Sequence, residues 1–195
     1  PGIEVAIQKN GKTVYECGFG TINSQIKSVP GPETRFQIDS LTKSFTAMAV
    51  MRLAEQGKVN IDQPIGRYIS LPNPKWKSIP IRQLLGMVSG IPDGGTSTGT
   101  YQQVIAIAAK RKTPYGVGLD FLPGSKYEYS NNNYFILGEL VNALSPQKDF
   151  MAYTKAEILD PLPMVDTGLL TFGHGDPWAT GYVNGKAVAA RNPMS

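Results

Sequence analysis

Residues 3 to 19 carry the pattern that most restricts the fold: Ile3, Val5 and Ile7 alternate with polar positions, Asn10-Gly11 follows, and Thr13 to Phe19 forms a return run. A period of two puts alternate side chains on opposite faces of a strand, and Asn-Gly supplies the positive-φ pair that a tight hairpin requires. A sheet therefore opens the chain. The 21 Gly and 15 Pro argue for many turns rather than for a long helical repeat or coiled coil, and the glycines have no period of three, which excludes collagen.

Beyond a polar loop at 22–36 the periodicity changes. After Asp39-Ser40, apolar side chains recur at Phe45, Met48, Ala49 and Leu53, with Arg52 in the same rhythm, and the run stops at Gly57. The pattern predicts a helix opening at Ser40 or one residue either side. A Pro-rich stretch from Leu71 to Pro80 precedes helical spacing at 81, 84, 85 and 88, another helix is predicted over Tyr101 to Lys110, and a further one from about Asn133, with Leu137, Leu140, Val141 and Leu144 on one face. After Asp160 the pattern fades into Gly, Pro and Thr, with Thr180 to Val188 reading as a second hairpin around Asn184-Gly185. No internal repeat or low-complexity tract is present. The organisation expected is one domain over 1–195: a hairpin and loop at 1–38, a helical region at 39–160 and an irregular region at 161–195.

Composition removes several functions. A chain of 195 residues, 41% hydrophobic and 17% charged, has an ordinary globular composition and room for a sizeable core. The net charge of +4 is scattered, so nucleic-acid binding gains little from it; Lys75-Trp76-Lys77 reads as a solvated loop rather than a stacking platform. No stretch approaches the roughly 18 apolar residues of a membrane span. Pro1 leads straight into the first strand, so no targeting segment is expected within these residues. The single Cys17 excludes an internal disulfide and a cysteine metal cage, and the single His174 leaves no Ser-His-Asp arrangement outside that position. Catalysis in such a chain must lean on Ser, Lys, Tyr or carboxylates.

Ser40-Leu41-Thr42-Lys43 is the sharpest chemical signal, because S-x-x-K on a helix places hydroxyl and amine on one face within reach of a shared proton. With 12 Ser and 13 Lys, fewer than one such pair is expected by chance, yet three occur: Ser24/Lys27, Ser40/Lys43 and Ser145/Lys148. Ser24 lies in a loop and Ser145 precedes Pro146, whereas Ser40 opens the most apolar helix, where the helix dipole favours an alkoxide. Spacing and context alone leave Ser40 equally readable as a helix cap. Lys43 stands among Phe45, Ala47 and Met48, and burial there would push a lysine toward the neutral amine that a general base requires. Tyr129-Ser130-Asn131 places a phenol and an amide at a loop-to-helix junction. Tyr182-Val183-Asn184 has the same form, and by pattern alone Tyr129 reads as a half-buried aromatic and Asn131 as a cap.

The blocks FQIDSLTKSFTAMAVMRLAEQGKVNIDQPIGRYI, IRQLLGMVSGIPD, FLPGSKYEYSNNNYFILGELV, ILDPLPMVDTG and ATGYVNG, in that order, resemble the serine β-lactamase and penicillin-binding-protein-like superfamily. The nearest branch is the one holding class C β-lactamases, D-Ala-D-Ala carboxypeptidases and related esterases. The resemblance implies an α+β, β-lactamase/transpeptidase-like fold, with an antiparallel sheet flanked by helices and a mainly helical subdomain. It matches Ser40 to the acylated serine, Lys43 to its partner lysine, Tyr129 and Asn131 to the Y-x-N pair, and it implies neither metal nor organic cofactor. By this resemblance Ser40 attacks a carbonyl of a small-molecule or peptide substrate and forms an acyl-enzyme. Lys43 and Tyr129 share the proton, Asn131 holds Lys43 and the substrate amide, and the Ser40 N–H supplies half of an oxyanion hole worth about 3–4 kcal/mol per donor. A periplasmic or secreted location is likewise an implication of the resemblance only.

Two departures stand out. Pro163 occupies a position where the family usually has Gly, and no third motif of K-T-G or H-x-G form follows Y-x-N; His174-Gly175-Asp176 is not H-x-G and reads as a loop. The chain stops 64 residues after Asn131, at Asn192-Pro193-Met194-Ser195, so the closing strands are expected to be absent and the opening hairpin to be completed by further chain or by a second copy in a homo-oligomer. Two functions follow: a serine hydrolase acting on a β-lactam, a D-Ala-D-Ala-type peptide or a small ester, or a non-catalytic relative that binds peptide or serves as a scaffold.

Overall fold

The computed structural model describes residues 1–94, 100–162, 164–168 and 178–188. These fall into two compact units, one from Pro1–Asp39 with residues of 165–192, the other from Ser40–Met164. In the first unit, strands β1 (Gly2–Lys9) and β2 (Lys12–Gly20) pair antiparallel. The turn between them has Asn10 at φ 52° and Gly11 at φ 72°, the two positive angles of a type I′ turn, whose twist matches that of the strands. Ile3, Val5 and Ile7 stand opposite Phe19, Cys17 and Tyr15, and a bulge then leaves Val14 as the extra residue. These three pairs share one face, which is apolar and open, with Ile3 62% and Phe19 51% exposed.

The loop at 22–36 is ordered by polar contacts within its own unit. Asn23 Oδ1 accepts from the N–H groups of Gln25 and Ile26 at 2.9 and 2.7 Å, its Nδ2 donates to the Trp178 carbonyl at 3.1 Å, and the Ala179 N–H reaches the Arg35 carbonyl at 2.9 Å. The expected second hairpin is present, Gly181–Val183 against Lys186–Val188, turning at Asn184-Gly185.

Among the described residues the second unit is built on five α-helices, α1 (Thr42–Glu55), α2 (Ile81–Leu85), α3 (Tyr101–Lys110), α4 (Asn131–Leu144) and α5 (Phe150–Thr154), and α4 is packed against each of the other four. Of its predicted stripe Leu137, Leu140 and Val141 are fully buried, joined by Ile136, and Leu144 is half-buried at the end. On α1 the buried face is Thr46, Ala49, Val50 and Leu53, so Met48 and Arg52, placed on the apolar face by the sequence reading, point outward. α2 is shorter than predicted. It stops at Leu85 because Met87 takes a left-handed φ of 56° that no helix continues through, which leaves Val88 outside it.

Trp76 corrects a second expectation. Residues Pro74–Ser78 form a 3₁₀ turn preceded by Asn73, and with three residues per turn Asn73, Trp76 and Ile79 fall on one inward line while Lys75 and Lys77 face outward. The indole is 0% exposed and its Nε1 donates to the Gly118 carbonyl at 2.6 Å. The Lys-Trp-Lys string is thus a core anchor with two solvated neighbours, and neither a solvated loop nor a stacking platform.

Gly90 joins the segment after α2 to the loop before α4. Its φ is 76°, and a Cβ there would lie 2.2 Å from the Phe121 carbonyl oxygen, while the N–H of the preceding residue, Asp120, donates to the Gly90 carbonyl at 2.8 Å. Gly90→Ala is expected to destabilise the unit by about 1–2 kcal/mol for the left-handed backbone and about 1–3 kcal/mol for overpacking. Urea denaturation measures this; a loss under about 1 kcal/mol would mean that the backbone relaxes freely there. Among the described residues no helix is long and apolar enough to cross a membrane.

Candidate active site

A short 3₁₀ turn, Asp39–Leu41, leads into α1 and sets Ser40 at the helix mouth. Asp39 has φ 42°, a left-handed conformation that is costly for a residue with a Cβ, so strain is stored one residue before Ser40. The N-cap of α1 is Leu41, and no side chain caps it. Ser40 is exposed, and its Oγ is engaged elsewhere: it lies 2.7 Å from the Tyr129 hydroxyl and accepts from Lys43 Nζ at 3.1 Å.

Tyr129 and Asn131 arrive from the other side of the chain, at the start of α4. Lys43 Nζ donates to Asn131 Oδ1 at 2.8 Å, and the Tyr129 hydroxyl reaches the same oxygen at 3.2 Å. The lysine ammonium also lies 4.9 Å from the centroid of the Tyr129 ring and 5.9 Å from that of Tyr134, whose own hydroxyl is held by the Leu85 carbonyl at 3.1 Å. All four residues singled out in the sequence therefore form one hydrogen-bonded cluster. Such a cluster can pass a proton: the serine hydroxyl touches a phenol oxygen that can give or take a hydrogen, and the lysine charge beside both favours the phenolate that takes it.

The sequence reading missed what holds this cluster. Asn131, Asn132 and Asn133 are consecutive, and each has a different partner. Asn132, fully buried, donates to the Pro92 carbonyl at 2.7 Å, while Asn133 accepts from Ser89 Oγ at 2.5 Å and donates to the Ser130 carbonyl at 3.3 Å. Asp93 accepts from the Asn131 backbone N–H at 3.1 Å and from its Nδ2 at 3.5 Å. Met87, in its left-handed conformation, turns its sulfur toward the Ser130 N–H and its carbonyl toward the Glu128 N–H. The signal was an uninterrupted run of three amides opening an apolar helix, since buried amides persist only where each finds a partner.

Burial pushes the Tyr129 phenol up, but the hydrogen bonds with Lys43 and Ser40 and the lysine's charge together outweigh it, so the group titrates below its ordinary value; Asp93 works weakly in the opposite sense. Lys43→Met removes the largest of the lowering influences and leaves burial opposed by Ser40 alone. The expected result is a phenol that titrates later on the pH scale than in the wild type, followed by the tyrosinate absorbance difference against Tyr129→Phe. An unmoved titration would mean that the ammonium does not govern it.

The other sequence candidates are not drawn in. Ser145 is buried with no hydrogen-bond partner for its hydroxyl among the described residues, and Lys148 Nζ is bonded to the Ala143 carbonyl. Ser24 and Lys27 lie on the exposed loop, and Tyr182 and Asn184 belong to the second hairpin. Pro163, His174 and Asn192 to Ser195 lie outside the described residues. Among the described residues no group of three or more His, Cys, Asp or Glu is placed to hold a metal ion.

Comparison with known proteins gives the same family from sequence and from structure. A family profile described as Beta-lactamase matches residues 1–194. Protein flp of Staphylococcus aureus is 31% identical over 172 residues, covering 86% of this chain and 34% of that protein. The octameric penicillin-binding protein homologue from Pyrococcus abyssi superposes with a TM-score of 0.79 at 30% identity, covering all of this chain and 47% of that one. The D-amino acid amidase from Ochrobactrum anthropi SV3 gives a TM-score of 0.75 at 29% identity, covering 93% and 52% respectively. The expected α+β, β-lactamase/transpeptidase-like fold is borne out by these structures, and the chain spans about half their length and about a third of the staphylococcal protein.

Proposed function

This chain belongs to the Beta-lactamase family, and from that premise we propose that it carries the acylating half of a serine hydrolase, with Ser40 as nucleophile. The observation that carries the reading is the placement of Ser40 Oγ at 2.7 Å from Tyr129, which as phenolate can take its proton, and at 3.1 Å from Lys43, whose charge favours that phenolate. In the reaction so read, Ser40 Oγ forms a bond to the substrate carbonyl carbon while its proton passes to Tyr129 as phenolate, the form that the charge and hydrogen bond of Lys43 favour. The same proton then goes to the departing amine or alcohol as its bond to carbon breaks, leaving an ester on Ser40 that water hydrolyses. Asn131 holds the ammonium of Lys43 by its oxygen throughout, and by the family resemblance the Ser40 N–H serves the developing oxyanion.

The substrate classes supported are carbonyl compounds with a leaving amine or alcohol: a β-lactam, a D-Ala-D-Ala-type peptide, a D-amino acid amide by likeness to the amidase, or a small ester. Because the chain spans only part of its relatives, the test is run on the protein that contains it. Turnover is measured on a chromogenic β-lactam, a D-Ala-D-Ala peptide, a D-amino acid amide and a nitrophenyl ester. Hydrolysis of any one that is lost in Ser40→Ala supports the reading. Binding of the peptide without turnover of any substrate and without a covalent adduct would replace it with the scaffold or peptide-binding function.

A further inference from the structure

We propose that Asp93 is a positioning residue of this site: its carboxylate locks the Asn131 side-chain amide with the oxygen turned toward Lys43 and Tyr129. This inference rests on the hydrolase reading for its consequence, though not for its geometry. An amide has one face that only accepts and one that only donates, so its orientation is decided by its neighbours. Lys43 Nζ has protons and no lone pair to offer, and it sits 2.8 Å from Asn131 Oδ1. On the opposite side Asp93 Oδ2 can only accept, and it takes Nδ2 at 3.5 Å. Turning the amide over would set NH₂ against an ammonium and oxygen against a carboxylate, two repulsions in place of two bonds.

Asp93 is also anchored at the correct distance by the backbone. Its other oxygen accepts the N–H of Asn131 at 3.1 Å, the first helical residue of α4. The N-cap residue, Ser130, does not do this job, because its buried hydroxyl has no hydrogen-bond partner among the described residues. Preceding Asp93, the Pro92 carbonyl is bound by Asn132 and the Ile91 N–H by Ser89, so the carboxylate projects from a segment tied to α4 at several points. The site's amide is thus aimed from outside the Ser-Lys-Tyr cluster.

A capping role and a positioning role make opposite forecasts for Asp93→Asn. As a cap, asparagine serves about as well as aspartate, and nothing should change. As a positioner it fails, because a substituted side chain whose oxygen takes the backbone N–H leaves its own NH₂ facing the Asn131 NH₂, and relief comes by turning the Asn131 amide over, NH₂ toward Lys43. The expected result is an acylation rate of Ser40 by a fluorophosphonate probe lowered by about 10²-fold, at little change in melting temperature. The Asn131 side-chain amide signals in a ¹⁵N-edited spectrum, assigned with Asn131→Ala, should be displaced as well. Asp93→Ala, which removes the acceptor without adding a donor, should slow labelling less than Asp93→Asn and serves as the second variant should the first not fold.

The outcomes separate the two ideas. If the wild type is labelled and Asp93→Asn is labelled equally fast, Asp93 only caps the helix and the proposal is overturned while the hydrolase reading stands. If the wild type takes no label but Asp93→Asn displaces the Asn131 amide signals, the positioning stands and the hydrolase reading falls. Unmoved amide signals overturn the proposal whatever the labelling shows.

Discussion

A penicillin-type or fluorophosphonate probe is expected to add its mass to Ser40 and to no other serine of the protein, and Ser40→Ala is expected to abolish the adduct. The reason is local chemistry rather than exposure. The Ser78 and Ser125 hydroxyls give their protons to the carbonyls of Lys75 and Leu122, which cannot carry them away, and Ser89, Ser130 and Ser145 are buried. Ser40 is exposed and bonded to a phenol and an amine that both can exchange a proton. Peptide mapping after labelling reads the result directly, and label on a different serine would sink the assignment.

The second large effect concerns the proton. Lys43→Ala and Tyr129→Phe are each expected to slow acylation by about 10²–10⁴-fold, the scale of a positioned acid or base, without loss of the fold. Neither side chain belongs to the packed core: Tyr129 is 44% exposed and Lys43 half-buried, so circular dichroism and melting temperature should change little. The two variants should not multiply in the double mutant, because both groups act on one proton held at Ser40 Oγ. Wild-type rates in either single variant would show that the proton leaves by a route other than this pair.

Much of the scaffold is legible in the sequence because it follows from local rules. Asn10-Gly11 dictated its own turn, Tyr101 to Lys110 came out as the helix its spacing requires, and the Leu137, Leu140 and Val141 stripe is buried. The errors came where a local rule met a competing one. The face of α1 is set by packing on α4 rather than by the apolar residue count, α2 is cut short by a left-handed Met87, and a 3₁₀ period of three turned Trp76 inward. The cap readings of Ser40 and Asn131 are likewise set aside by geometry: the capping positions are Leu41 and Ser130, and both side chains bond across the cluster instead.

The sequence by itself determined the chemical kinds available, a serine and a lysine one helical turn apart and a tyrosine and an asparagine at a loop-to-helix junction, because these depend on spacing within single elements. It also carried, through the order of its motifs, the family to which the chain belongs. Only the tertiary structure decided that residues 88 and 89 positions apart meet within hydrogen-bond distance, and that Asp93 stands behind Asn131. Such contacts join segments distant in the chain, and no local period encodes them. They arise when α1 and α2 pack against α4 and the segment after α2 is hydrogen-bonded to the first turn of α4, where their polar groups converge.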